Sequence, residues 1–472
     1  MRRKKYHVHE ARKRFKSKSS EIVTSNNLPP GPWKLPIIGS IHHLIGSLPH
    51  QRMRELSQKY GPLMHLKLGE TSTIVVSSKE IAKVVMKTND AYGSTSIFFS
   101  PAGDYWRNIK KICTLELLSA KRAKSFQSIR EEELSKLIRY ISINTGSTIN
   151  LTDEISSMTY NIISRATFGD KCNDQEAFIL FIKECTRVVE SVNIPNLFPS
   201  QHWLHVISGM VHKLKTMHRS GDMVLEKIIN KAITKTSGDG SLLSCLLNLK
   251  DESSQTGFHL TTNICHHSVQ DIIIGGSEPS TTTMEWAFSE MLKNPRILKR
   301  AQEEVRHAFV SRGYVDEKDL EELKFLKAVI KETFRLHPPN PLLLRECAET
   351  CEINGYTIPG GTHVLVNTWA IARDQKNWSD GDKFYPERFL DSPIDYKGSN
   401  FDFLPFGAGK RMCPGILFAT PTIELPLAQL LFYFDWQLPF GISHENLDMT
   451  EAFGSVAKKK SELFVIPIPY NQ

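Results

Sequence analysis

Hydrophobic residues recur at helical spacing through most of the chain after Ser78, and strand-like alternation is confined to a few short runs. That periodicity constrains the fold more than any other feature. It predicts helices over 79–88, 104–116, 121–143, 152–167, 176–192, 220–234, 268–293, 297–310, 320–336 and 416–432, with Pro, Gly, Asn and Ser in the connections. Short strands are expected over 63–76, where two runs flank Gly69-Glu70, and again over 352–358, 363–367 and 463–467. No internal repeat and no Pro- or Gly-rich interdomain linker interrupts the pattern. The fold class is therefore mainly α with small β-sheets, as one large helical domain. With 40% hydrophobic and 23% charged residues, a disordered or collagen-like chain is excluded.

The start of that domain is set by Leu28-Pro-Pro-Gly-Pro-Trp33, whose prolines forbid a helix. We assign residues 28–472 to the folded domain and 1–27 to a basic, disordered tail. The formal net charge of +8 comes from that tail: residues 1–18 carry nine Lys or Arg against Glu10, leaving 50 basic and 50 acidic residues elsewhere. A neutral body argues against a nucleic-acid partner, which needs its excess charge on a folded face. The tail can contact an anionic membrane surface or remain solvated, and the sequence leaves both readings open. No apolar segment near the N-terminus predicts a secretion signal or a span there. The most apolar window, 415–434, holds Glu424, Pro421 and Pro426, so a buried core helix is expected rather than a bilayer span. The eight cysteines form no CxxC pair, which suits reduced thiols rather than a disulfide framework.

The chemistry lies in Phe406-Gly-Ala-Gly-Lys-Arg-Met-Cys413-Pro-Gly415, which runs directly into the apolar helix. Gly407 and Gly409 permit positive φ and a tight turn that aims backbone N–H groups at one sulfur. Cys413 stands at a helix N-terminus, where the dipole favours thiolate. Gly415 leaves room for a flat ligand, and Arg411 can meet an anionic group beside it. A thiolate ligand with a planar, carboxylate-bearing cofactor describes cysteine-ligated heme. A buried structural Cys in a Gly-rich turn is the bland alternative, and zinc fits worse because Cys347 and Cys351 lack a second pair.

This loop resembles the heme signature of cytochrome P450 enzymes, and the resemblance extends over residues 28–472. The proline-rich segment, Lys331-Glu-Thr-Phe-Arg335 and Phe384-Tyr-Pro-Glu-Arg-Phe389 match it in order. Pro386-Glu-Arg-Phe-Leu-Asp391 and Glu424-Leu-Pro-Leu-Ala-Gln-Leu430 look most like the plant microsomal members that oxidise terpenoids and phenylpropanoid-type compounds. The resemblance implies heme b (iron protoporphyrin IX) ligated by Cys413, with Phe406, Gly407, Gly409, Arg411 and Gly415 around it. It implies Trp106, Lys110 and Arg345 toward the propionates, Lys110 standing where the family usually has Arg. It also implies that Glu332, Arg335 and Arg388 form a buried structural lock.

On the oxygen side, Asp271-Ile-Ile-Ile-Gly-Gly-Ser-Glu-Pro-Ser280 matches the family at Gly276 and Glu278 but has Pro279 where a Thr is expected. The candidate catalytic residues are therefore Glu278, Ser277 and Ser280. The implied activity is a monooxygenase that inserts one atom of O₂ into an apolar small molecule, a terpenoid by resemblance. Its implied partner is NADPH-cytochrome P450 reductase, and its implied place is the cytosolic face of the endoplasmic reticulum membrane. Pro279 keeps open an O₂-independent isomerase or dehydratase acting on peroxides. The lack of an anchor helix and a segment between Lys87 and Tyr105 shorter than the family's keep open a defective heme-binding chain.

Overall fold

The computed structural model describes residues 27–470 apart from 89–96, 99, 102, 170–179, 183, 185–193, 235–239, 253–259, 440, 453 and 455. The tail assigned to 1–27 lies almost wholly outside the described residues, as do most of the expected helix 176–192 and much of the segment between Lys87 and Tyr105. The helices that position the site are α1 (Asp104–Ile112), α2 (Leu151–Phe168), α3 (Thr262–Lys293), α4 (Lys324–Leu336) and α5 (Ile416–Tyr433). The main sheet has β1 (Leu63–Leu68), β2 (Thr71–Val76), β3 (Leu342–Glu346) and β4 (His363–Asn367) in the order β1-β2-β4-β3. β1 and β2 form an antiparallel hairpin in the register Leu63↔Val76, β4 joins β2 in parallel, and β3 closes the edge antiparallel to β4. A three-stranded sheet built from Ile149–Asn150, Phe434–Gln437 and Phe464–Pro469 lies apart from it.

The fold is mainly α with small sheets, and three departures from the expected boundaries have local causes. The helix expected over 121–143 breaks at Phe126, whose ring turns inward to within 5.9 Å of the Phe418 ring centroid. The break frees the Ala123 carbonyl, which accepts from Arg130 Nη1 at 2.9 Å. The helix expected over 320–336 splits into a 3₁₀ turn, Glu317–Glu322, and α4. Glu304 caps the new start by accepting from the Phe325 and Leu326 N–H groups at 2.7 and 2.8 Å. Past Ile112, α1 widens into a π turn, Cys113–Leu117, closed by Leu118 N–H on the Cys113 carbonyl at 2.8 Å.

At the centre, α3 runs 32 residues along α2 and across α5. Nearly every residue from Ser280 to Leu292 is buried, because the second half of α3 is enclosed on all sides. Among the described residues, α5 alone is long and apolar enough to cross a membrane, yet 61% of it is buried inside the fold. It is a core helix, held against α3, α4 and the loop that precedes it.

Candidate active site

The loop 406–415 is a tight turn pinned at both ends. Cys413 N–H donates to the Phe406 carbonyl at 2.9 Å, Gly407 N–H to Leu404 at 3.1 Å and Met412 N–H to Gly409 at 3.2 Å. Gly407 and Gly409 take φ of 69° and 70°, the left-handed region that a side chain resists. Gly409 is doubly constrained, since a Cβ there would stand 2.5 Å from the Met86 carbonyl oxygen. Phe406 anchors the loop by packing its ring 5.1 Å from Phe334 on α4 and 5.3 Å from Tyr396.

Cys413 is half-buried, and Gly415 N–H points at its Sγ from 3.4 Å. The protein packed around the thiol pushes its pKa up, while the Gly415 N–H and the positive charge of Lys110 act the other way. A metal cation at the sulfur favours the thiolate. A Cβ at Gly415 would stand 3.8 Å from Sγ, so the missing side chain keeps the approach to the sulfur clear. Among the described residues no group of three or more His, Cys, Asp or Glu could hold a metal ion, which leaves a single thiol as the donor. One thiol, an open approach and nearby cations fit heme and do not fit zinc.

The cations converge beside this loop. Trp106 on α1 is 5% exposed, with Arg411 over its ring at 4.4 Å and Lys110 at 5.2 Å. Lys110 Nζ donates to the Lys410 carbonyl, and Arg411 donates to the carbonyls of Ile97, at 3.4 Å, and Ser100. Trp106 Nε1 also donates to Ile97, at 3.1 Å. The structure thus brings Trp106, Lys110 and Arg411 together around carbonyls. Arg345 lies on β3, half-buried, its Nη1 donating to the Leu344 carbonyl at 2.7 Å.

Behind the loop, Glu332 and Arg335 are each wholly buried on one face of α4 and pair through Nε at 2.7 Å and Nη2 at 2.8 Å. Arg388 Nε reaches the same carboxylate at 3.0 Å, and Tyr385 N–H reaches it at 2.8 Å. The remaining Arg335 donors go to the carbonyls of Ala372, Gly381 and Lys383 at 2.7, 2.6 and 3.0 Å. Every N–H of that guanidinium therefore has an acceptor, the condition under which a buried charge is tolerated.

On the oxygen side, α3 continues through Pro279 without ending. Ser277 Oγ donates to the Ile273 carbonyl at 2.6 Å and Ser280 Oγ to Gly276 at 2.8 Å, so both hydroxyl protons are engaged by the helix itself. Glu278 accepts instead from Tyr160 Oη on α2. Sequence reasoning missed Tyr160, 118 residues away along the chain, and also Asp271, whose carboxylate accepts from Ile97 N–H at 2.7 Å. Tyr160 had no local signal. Asp271 could have been found only from the acid's place one turn before Gly275.

The family model for cytochrome P450 matches residues 29–465. Cytochrome P450 71D11 of Lotus japonicus is 50% identical over 93% of this chain and 95% of its own length. Desmethyl-deoxy-podophyllotoxin synthase of Sinopodophyllum hexandrum is 49% identical over 94% of this chain and 92% of its own length. Premnaspirodiene oxygenase of Hyoscyamus muticus is 44% identical over 97% and 95%. A zebra fish cytochrome P450 structure with abiraterone superposes at a TM-score of 0.74 and 24% identity, covering 90% of this chain and 99% of that one.

Proposed function

The chain belongs to the cytochrome P450 family of heme b oxidoreductases that incorporate molecular oxygen, and from that premise we propose that it oxygenates a terpenoid with electrons from NADPH delivered by a cytochrome P450 reductase. The observation that carries this reading is the Cys413 turn, with two left-handed glycines, one thiol and the Gly415 N–H at 3.4 Å from Sγ. Support for the substrate class comes from the relatives: premnaspirodiene oxygenase is named for oxygenating a diene, and salviol synthase of Salvia pomifera is 46% identical.

When bound, heme supplies one-electron transfer and the activation of O₂. The residues of the chain do the remaining work. Cys413 would ligate the iron, with the Gly415 N–H directed at its sulfur. Lys110 and Arg411, clustered on Trp106, and Arg345 would pair with the carboxylates of the cofactor. The Glu332–Arg335–Arg388 lock keeps the loop rigid from behind through α4 and Phe334 against Phe406. The apolar substrate would meet the α3 side, where Glu278 is the candidate for passing protons inward. The proposed place is the cytosolic face of the endoplasmic reticulum membrane.

A second reading, an O₂-independent isomerase or dehydratase acting on peroxides, is favoured by one observation: Pro279 carries no hydroxyl, and those of Ser277 and Ser280 are bonded to the helix. Incubation with NADPH, reductase, a terpene panel and ¹⁸O₂ separates the two. Product carrying one ¹⁸O supports the monooxygenase; turnover of a hydroperoxide without NADPH or O₂ supports the alternative.

A further inference from the structure

We propose that Tyr160 is a positioning residue for oxygen activation, setting where the Glu278 carboxylate stands on α3. The inference rests on the monooxygenase reading above and adds a residue outside the heme loop and outside α3.

Tyr160 is 1% exposed, and its Oη donates to Glu278 Oε1. The bond is fixed by the packing of two helices. One turn beyond Tyr160, the Ile163 side chain packs on Gly276, with Cδ1 2.8 Å from where a Cβ would be, along the extended packing of α2 against α3. That contact lies one turn from the Tyr160–Glu278 bond. A phenol donating to a carboxylate is a charge-assisted bond, stronger than a neutral one, and here it crosses a part-buried helix interface. It pins the carboxylate in one orientation.

Three of the hydroxyls around Pro279 are already committed, whereas the Thr281 hydroxyl is buried with no hydrogen bond among the described residues. Ser277 donates to Ile273, Ser280 to Gly276 and Thr283 to the Pro279 carbonyl, at 2.6, 2.8 and 2.8 Å. A hydroxyl has one proton to donate, so none of these can hold Glu278 without first breaking its bond to the helix. In a chain whose α3 carries proline in place of a hydroxyl, the bond that holds the acid comes from Tyr160 on α2.

The test compares the holoenzyme with Tyr160→Phe, Glu278→Gln and the double variant. One readout is the C–O stretch of carbon monoxide bound to the ferrous protein, which senses polar groups on the oxygen side without turnover. The other is product formed per NADPH consumed. Tyr160→Phe should shift or broaden the C–O band and lower the product ratio about 10-fold, and the double variant should match Glu278→Gln alone. A Tyr160→Phe protein with wild-type band and ratio overturns the proposal, as does a Tyr160→Phe effect that adds in full to that of Glu278→Gln. If Tyr160→Phe fails to hold heme, Glu278→Gln carries the test: it weakens the same bond from the acceptor side, and an unmoved C–O band overturns the proposal. A wild type without the thiolate-type carbon monoxide spectrum overturns the monooxygenase reading and this inference with it, whereas a wild-type spectrum with an unmoved Tyr160→Phe overturns this inference alone.

Discussion

Replacing Glu332 with alanine removes the acceptor on which two guanidinium groups and one backbone N–H close. Four hydrogen bonds end on that carboxylate, two from Arg335, one from Arg388 and one from Tyr385 N–H. Glu332 and Arg335 are fully buried, and Arg388 is 9% exposed. Water cannot replace the lost partner for Arg335, so its charge is left uncompensated in a dry setting. Bonds to charged groups are each worth about 1.5–3 kcal/mol, but they are not additive when they share one acceptor. Breaking a buried pair costs about 3–5 kcal/mol. The three carbonyls that still hold Arg335 place the expected loss at the lower end, ~3 kcal/mol, against a typical total stability of about 5–15 kcal/mol. With a urea slope of ~1–3 kcal/mol/M, the midpoint should fall by roughly 1 M or more. The assay is urea unfolding followed by tryptophan fluorescence and heme absorbance, with Asp104→Ala as the control. The Asp104–Arg107 pair is 91% and 68% exposed, and its loss should be nearly silent. A Glu332→Ala midpoint that coincides with the Asp104→Ala midpoint would refute the reasoning.

Three further outcomes are expected. Burial raises the Glu424 carboxyl to about 7. A carboxyl with a raised folded-state pKa is destabilising in its charged form, so the penalty is absent below the ordinary value of 4.5 and complete above about 7; Glu424→Gln should raise the urea midpoint at pH 8 and barely change it at pH 5, and equal shifts at both would contradict this. Pro279→Thr restores a hydroxyl on α3 and should raise product per NADPH while lowering hydrogen peroxide release; an unchanged ratio would mean that the missing hydroxyl does not limit proton delivery. Expressed as this sequence, the protein should wash off microsomes in high salt if residues 1–18 hold it electrostatically, and release only by detergent would refute that attachment.

Much of the site was legible because its chemistry demands local spacing. The left-handed Gly407 and Gly409, the clear approach at Gly415 and the i, i+3 pair Glu332–Arg335 all follow from residues within ten positions of one another. The core helices were legible for the same reason, as periodicity is a local signal. Pro49–Tyr60 was missed because its inward face holds only His50, Met53 and Leu56 in a polar run. The carbonyls of Ile97 and Ser100, which receive the Arg411 guanidinium, are backbone atoms that no residue type announces. Tyr160 reads in sequence as one more core residue of α2, and its bond to Glu278 exists only once the two helices pack.

The account stands on Cys413 as the iron ligand, and the most direct measurement is the carbon monoxide difference spectrum of the reduced protein, wild type beside Cys413→Ala. Wild type should show the red-shifted band of thiolate-ligated heme, and Cys413→Ala should lose it, by failing either to bind heme or to ligate it through sulfur. A wild type without that band, or a Cys413→Ala protein that keeps it, would contradict the account.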